Sequence, residues 1–304
     1  MNTVKPILKW VGGKTQIIDK LFAKIPKEIN NYHEIFLGGG SVLLALLSQI
    51  QAGKIKVSGT INAYDINEPL IYVYKNIQQR HAELYMILQT LIGELNACPM
   101  EGIVNRKPAT IEEAMLSSEN YYYWCRARYN GLAAEEKRTP LGSALFIFLN
   151  KTCFRGVFRV GPNGFNVPYG HYKNPEVINK DHLEEVHQLI QNVRFECMDF
   201  ASSMSQVVVG DYVYLDPPYA PETTTSFVGY TENGFGIEKH KQLFELIRRK
   251  KMQFMMSNAD VELVRENFPD GVYTTDIVLC KRSINSKNPE SKTNEVIITN
   301  YVSE

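Results

Sequence analysis

The apolar run Tyr212-Val213-Tyr214-Leu215 stops at Asp216-Pro217-Pro218-Tyr219. A carboxylate, two prolines and an aromatic at a strand end make an acceptor-rich rim beside a flat ring. Asp216 and the Pro217 carbonyl can each accept one hydrogen from an –NH2 group, which leaves the nitrogen lone pair available for attack. Proline fixes φ and carries no N–H, so the Pro217-Pro218 step holds its carbonyls without a competing donor. Tyr219 supplies a face for stacking. These residues fit a reaction at the exocyclic amine of a nucleobase. On the tetrapeptide alone, a strand running into a proline turn reads the same way.

Three further features fall at predicted strand ends, where open α/β sheets bind ligands near a topological switch point. Gly38-Gly39-Gly40 lets a ligand approach the backbone, since no Cβ intrudes. Asp65 is placed to accept from ribose hydroxyls, and Asp199-Phe200 offers a carboxylate and an aromatic to flank an adenine ring. Each alone reads equally as a turn or a helix cap; together they point to an adenosine-containing cofactor. The dinucleotide fingerprint G-x-G-x-x-G is absent, because Phe36-Leu37-Gly38-Gly39-Gly40 runs straight into Ser41-Val42-Leu43. Gly12-Gly13-Lys14-Thr15 lacks the upstream glycine of a P-loop. S-adenosylmethionine carries no phosphate and requires neither device. Gly12-Gly13-Lys14 follows Ile7-Leu8-Lys9-Trp10, with Trp10 and Lys14 suited to pack on and neutralise the methionine end; a glycine turn before an ordinary helix is the plainer reading.

The elements that must position these residues alternate. Strands are expected at 33–37, 60–65, 193–197, 212–215, 252–256, 271–278 and 294–300, and helices at 16–22, 41–51, 69–95, 181–191 and 238–251. That alternation implies a mainly parallel sheet covered on both faces. The middle differs. Thr110 with Glu113 makes a capping box opening a helix through Tyr121-Tyr122-Tyr123-Trp124, and Pro140 starts another. The stretch 153–168, broken at Gly161-Pro162-Asn163-Gly164, reads as a β-hairpin with a loop of about four residues. The expected architecture is therefore α/β, with residues 1–76 and 176–304 forming one domain and residues 77–175 inserted as a mainly helical second domain carrying the hairpin.

A chain of 304 residues with 44% apolar content is long enough for one large or two modest domains. Lys+Arg and Asp+Glu balance at 33 each, so a nucleic-acid partner must be argued from local clusters. Five scattered cysteines without a CxxC fit free thiols in a reducing compartment. His182 and His187 are the only closely spaced histidines and do not share a helix face, so no metal is expected. No apolar stretch nears the roughly 20 residues that span a bilayer, and residues 1–14 are too polar for a signal peptide; an intracellular, cytoplasmic setting is expected.

The order of motifs is distinctive. Leu8-Lys9-Trp10-Val11-Gly12-Gly13-Lys14, Phe36-Leu37-Gly38-Gly39-Gly40, Asp65-Ile66-Asn67, Asn166-Val167-Pro168-Tyr169-Gly170, Asp216-Pro217-Pro218-Tyr219 and Lys281-Arg282-Ser283-Ile284 follow one another along nearly the whole chain. In this the sequence resembles the Dam-type (D12 class, group alpha) DNA adenine N6-methyltransferases. The resemblance implies a Rossmann-like methyltransferase domain with a target-recognition domain of helices and a hairpin, S-adenosyl-L-methionine as methyl donor, and adenine in a short duplex DNA sequence as acceptor, reached by base flipping. It implies cofactor contacts from Trp10, Lys14, Asp65 and Asp216, with Phe36, Gly38, Gly40, Asp199 and Phe200 completing the pocket, and Asp216, Pro217, Pro218 and Tyr219 as the catalytic tetrapeptide. It leaves room for a cognate restriction endonuclease as partner. In one place the chain departs from the family. Arg155-Gly156 stands where many members carry Asn-Gly, which puts the usual GATC target, or a related short palindrome, in question because Arg and Asn prefer different base edges.

Between Lys151 and Lys173 lie Lys151, Arg155, Arg159 and Lys173 with no acidic residue, interleaved with Phe154, Phe158, Phe165 and Tyr169. Lys9, Lys151, Arg155, Arg159, Asn166 and Arg282 are the expected DNA contacts. Lys281, Arg282, Lys287 and Lys292 form a second cationic group suited to phosphate, whereas Arg248-Arg249-Lys250-Lys251 ends a predicted helix, where cations favour the dipole. The polar segment 221–236 is suited to closing over a substrate. Methylation of RNA adenine or of a protein glutamine would not need the inserted basic hairpin. A DNA-binding module without activity would not need the tetrapeptide, and a nicotinamide dehydrogenase would need the missing glycine pattern.

Overall fold

The computed structural model describes residues 3–221, 234–281 and 292–302. In chain order its strands are β1 (Glu28–Ile29), β2 (Tyr32–Glu34), β3 (Lys56–Val57), β4 (Ile61–Asp65), β5 (Val160–Gly161), β6 (Gly164–Phe165), β7 (Val193–Cys197), β8 (Tyr212–Leu215), β9 (Gln253–Ala259), β10 (Thr274–Lys281) and β11 (Lys292–Thr299). The helices are α1 (Ile18–Phe22), α2 (Ser41–Gln51), α3 (Glu68–Ala97), α4 (Ile111–Ala114), α5 (Ser118–Gly131), α6 (Ala134–Lys137), α7 (Pro140–Thr152), α8 (Lys180–Leu189), α9 (Phe200–Gln206), α10 (Ile237–Arg249) and α11 (Glu262–Asn267).

Seven strands form the central sheet in the order β10-β11-β9-β8-β2-β4-β7. The five strands from β9 to β7 pair in parallel, and β11 and β10 add an antiparallel edge. Period-2 alternation divides the side chains between two cores. From β8, Tyr212 and Tyr214 enter the larger cluster, and Val213 and Leu215 the other. The larger cluster runs without a break from the first helices through α3, α5 and α7 to Phe165 of the hairpin, so the middle helices are continuous with the core of the sheet. The smaller cluster holds α10 and α11 against the opposite face.

Because β4 and β7 lie to one side of β2, and β8 and β9 to the other, the strand order reverses between β2 and β8. The carboxyl ends of β2, β4 and β8 are therefore neighbours, and the Gly38-Gly39-Gly40 turn, Asp65 and Asp216 rise from that one rim.

Several elements differ from expectation. β2 stops at Glu34 rather than residue 37, although Ile35 and Leu37 extend the rim by backbone bonds to Tyr214 and Tyr64. The helix expected after Thr110 is two: Thr110 caps the short α4, and Ser117 caps α5 by accepting from Asn120 N–H at 3.2 Å. Glu113 reaches back to the N–H of Ala109 rather than that of the cap residue. The hairpin turns on two residues, Pro162 and Asn163, between β5 and β6, and an irregular ladder continues to a bridge between Cys153 and Tyr169. The expected boundary near residue 77 falls inside α3, whose only non-helical residue is Arg80 (φ −140°, ψ 34°). The short helices α9 and α11 carried no sequence signal strong enough to predict.

Candidate functional site

Lys14 lies in a single 3-10 turn after Gly12-Gly13 and is almost fully buried. Its ammonium donates to the Gly12 carbonyl at 2.7 Å and meets Asp216 Oδ2 at 2.7 Å. The same nitrogen stands 5.0 Å above the centre of the Tyr219 ring. The Lys14 backbone N–H donates to Ser41 Oγ at 3.1 Å, tying the turn to the first residue of α2. Lys14 was expected at the methionine end of a cofactor; in the structure it neutralises the rim carboxylate that follows β8.

Asp216 keeps 18% of its side-chain surface, so it is reachable rather than sealed in the core. Burial pushes its carboxyl up to about 6, against the opposing pull of Lys14. Tyr219 is held high by burial, with the Asp216 and Glu295 charges adding to it. The turn beyond is fixed from both sides: Ala220 N–H donates to Asn258 Oδ1 at 3.0 Å, and the buried His240 ring meets the Pro218 carbonyl at 2.9 Å and the Gly236 carbonyl at 3.0 Å. Burial lowers the His240 pKa despite those two acceptors.

Asp65 ends β4 with both oxygens engaged, Oδ2 by Gly38 N–H and Oδ1 by Asn67 N–H, each at 2.9 Å. Burial raises its pKa, and these backbone donors oppose the rise. Each carboxylate oxygen retains a second lone pair, so Asp65 can still accept hydroxyls at the rim. Beneath Asp65 and Asp216 sits Glu34, buried, accepting from Tyr32 Oη at 2.7 Å. Burial, with the Asp216 and Asp65 charges adding to it, moves Glu34 up to about 8.

Gly38 and Gly40 adopt φ of +50° and +71°. Their missing side chains were expected to let a ligand approach the backbone; in the structure, side chains of the protein lie where each Cβ would stand. A Cβ on Gly38 or Gly39 would come within 2.9 or 2.7 Å of Trp10, and one on Gly40 within 2.4 Å of Tyr74 Oη. The Trp10 ring thus packs on the glycine turn, and it stacks against Phe158 with centroids 5.9 Å apart. Phe36 stacks on Phe200 at 6.2 Å, and Phe235 closes the group edge-on to both. Asp199 caps α9, accepting from Ser202 N–H at 2.8 Å, so its carboxylate has a structural duty.

The basic residues fall into two sets. Lys9, Lys151 and Arg155 converge where the segment carrying Trp10 meets the hairpin. Asn150 of α7 clamps Lys9 by its backbone (2.8 Å each way) and also donates to the Gly156 carbonyl at 3.1 Å. The Lys9 ammonium lies 4.3 Å above the Tyr172 ring, while Tyr172 Oη accepts from Arg155 N–H at 3.0 Å. Burial and the Lys9 charge lower the half-buried Lys151. Arg155 has φ +57°, a left-handed backbone that costs an L-residue about 1–2 kcal/mol and that asparagine tolerates better. Arg159 and Asn166 form the second set, joined across the hairpin by an Nε–Oδ1 bond of 2.6 Å. Arg282, Lys287 and most of the 221–236 segment lie outside the described residues. Arg248, Arg249 and Lys250 are occupied locally by Asn267, Glu245 and the Val207 carbonyl.

Sequence reasoning missed Glu34, His240, Asn258 and Tyr172. Each sits in an ordinary strand, helix or loop pattern, and only the register and packing bring it to the site.

Residues 10–281 match the family described as D12 class N6 adenine-specific DNA methyltransferase. The chain is 35% identical to the type II methyltransferase M.MjaIII of Methanocaldococcus jannaschii, over 98% of this chain and 99% of that protein. It is 29% identical to the DNA adenine methylase of Haemophilus influenzae, over 95% of this chain and 90% of the other. A DNA adenine methylase of Escherichia coli strain K12 is likewise 29% identical, over 99% of this chain and 96% of the other.

Proposed function

The chain belongs to the D12 class N6 adenine-specific DNA methyltransferases, and from that premise we propose how its own residues carry out the transfer. The methyl donor is S-adenosyl-L-methionine, held along the rim by Asp65, by the turn packed under Trp10, and by the aromatic group of Phe36 and Phe200. This rim fits a donor without phosphate: it presents a carboxylate with spare lone pairs and flat apolar rings, and no glycine-cradled anion hole. When bound, the donor supplies an electrophilic methyl group.

The acceptor adenine leaves the duplex stack, at a cost of a few kcal/mol, and lies against Tyr219, where stacking returns about 1–3 kcal/mol. Asp216 accepts a hydrogen from N6 and the Pro217 carbonyl accepts the other. The carboxylate form of Asp216 is the competent one, and Lys14 favours it. As nitrogen gains its fourth bond, the proton it gives up goes to Asp216 and on to water. Fixed groups at the reacting centre supply the acceleration by position and electrostatics. The Lys14–Asp216 pair beside Tyr219, at the switch point of the sheet, is the observation that carries this reading.

On the DNA side, Arg155 and Arg159 read bases, with Asn166 orienting Arg159, and Lys9 and Lys151 contact the backbone. The target is a short duplex sequence, GATC or a related palindrome, with Arg155 setting the difference. Two measurements test the proposal together. Calorimetry should show S-adenosylmethionine binding that Asp65→Ala weakens at least tenfold. Duplex DNA with 2-aminopurine at the target, located first by sequencing modified bases, should brighten on binding. No brightening, or undiminished cofactor binding by the Asp65 variant, would refute the assignment.

A further inference from the structure

Outside the rim, the α3–α8 contact gathers two imidazoles and a carboxylate that the methyl transfer does not use. The α3 helix loses regular geometry only at Arg80, and His81 follows immediately. From α8, Glu184 and His187 stand three residues apart and so share a face. Glu184 Oε2 lies 3.1 Å from His81 Nε2, and the His81 and His187 rings stack with centroids 3.6 Å apart. One donor atom from each of the three residues lies within 4.8 Å of the other two. Along the sequence, only His182 and His187 looked close; the fold supplies His81 instead.

The hydrogen bonding around His187 suits a ligand. Its Nδ1 faces the Ile77 carbonyl at 2.8 Å, while the Gln191 amide nitrogen, 3.1 Å from the same Nδ1, donates to the His187 and Gln78 carbonyls. A carbonyl only accepts, so that nitrogen carries the proton and Nε2 keeps its lone pair. This is the usual way an outer hydrogen bond fixes a metal-binding imidazole. The scaffold around them is braced: Gln78 of α3 donates to the Ile190 carbonyl at 2.8 Å and to the Val193 carbonyl at 2.9 Å.

We propose that His81, Glu184 and His187 bind a divalent first-row transition ion of borderline softness, zinc foremost, which clasps α8 to α3 just after the Arg80 distortion. Two nitrogens and one carboxylate oxygen are a donor set suited to zinc, with water as the fourth ligand. The bound ion draws together helices that belong to the two halves of the chain, and its effect is on stability.

Chelator-treated, untagged full-length protein is titrated with zinc chloride by calorimetry and with cobalt(II) by absorbance. Wild type should bind one equivalent, and its melting temperature should rise with zinc, as expected for a ligand of the folded state. His81→Asn and Glu184→Gln should each weaken binding at least tenfold and remove the zinc-dependent rise. His187 is left in place because its ring also bonds to α3. A d–d cobalt spectrum without a sulfur charge-transfer band supports the site. Equal affinity in wild type and the His81→Asn/Glu184→Gln double variant, or a thiolate band pointing to cysteine ligands, overturns it.

Discussion

Asp216 and Arg155 are the charged residues to which we assign methyl transfer and base reading, and the fold holds them by opposite means. Asp216 ends a strand buried on both faces, is paired with a buried lysine, and is followed by a turn that Asn258 and His240 pin from behind. Arg155 stands exposed in a left-handed backbone, with its guanidinium 5.2 Å over the Phe154 ring and its N–H on Tyr172. The group assigned to the reaction is over-determined, as preorganised electrostatics require. The hairpin-side group is strained and solvent-facing. The proposed chemistry and the proposed recognition thus sit in different mechanical settings.

If that division is right, the largest effect comes from the cleft. Asp216→Asn should lower turnover by about 10^2–10^3-fold, the scale of losing one preorganised contact, with folding unchanged by circular dichroism. In wild type, kcat/KM should rise with pH through about 6, because the ionised carboxylate is the acceptor and its pKa is raised to that value. Lys14→Met should move this limb to higher pH, since Lys14 is the group that holds the pKa down. A limb that stays in place would separate Asp216 from the profile.

The hairpin side predicts a smaller and different change. Arg155→Asn should relax discrimination at one base pair by about 1–3 kcal/mol while raising stability by about 1 kcal/mol through relief of the left-handed strain. Competition between single-base variants of the mapped target, together with denaturant midpoints, would reveal it. A loss of turnover on every sequence alike would break the division.

Smallest for turnover, and a probe of what lies beneath the rim, is Glu34→Gln. Glu34 is raised from about 4.5 to about 8 in the folded protein, so its neutral form favours folding. That contribution is complete below 4.5 and is lost progressively as pH climbs to about 8. Wild type should therefore lose stability between pH 5 and pH 8 relative to the variant, by on the order of 1 kcal/mol per unit, followed as the gap between their melting temperatures.

Much of this was legible in the sequence because strand ends announce themselves. Apolar runs terminating in Asp65 and Asp216, and a glycine turn feeding Ser41–Gln51, specify the rim through backbone chemistry alone. The partner of Asp216 was not legible. Lys14 lies far away in the chain, and nothing in Gly12-Gly13-Lys14 says which carboxylate it will meet. Glu34 reads as one polar position in a short strand, and only parallel pairing on both sides shows that it is buried beneath two acids. The triple glycine did not announce its neighbours, since Trp10 and Tyr74 lie where its Cβ atoms would stand. The break between α4 and α5 was hidden because helical periodicity continues across Met115-Leu116.

Trp10 has one more implication. A single indole forms the wall of the glycine turn on one edge and the seat of Phe158 on the other, so neither neighbour can be resized independently. Under the proposed assignment, a change at Phe158 would therefore be felt through residue 10 at the glycine turn, whereas Arg155 and Arg159 are exposed.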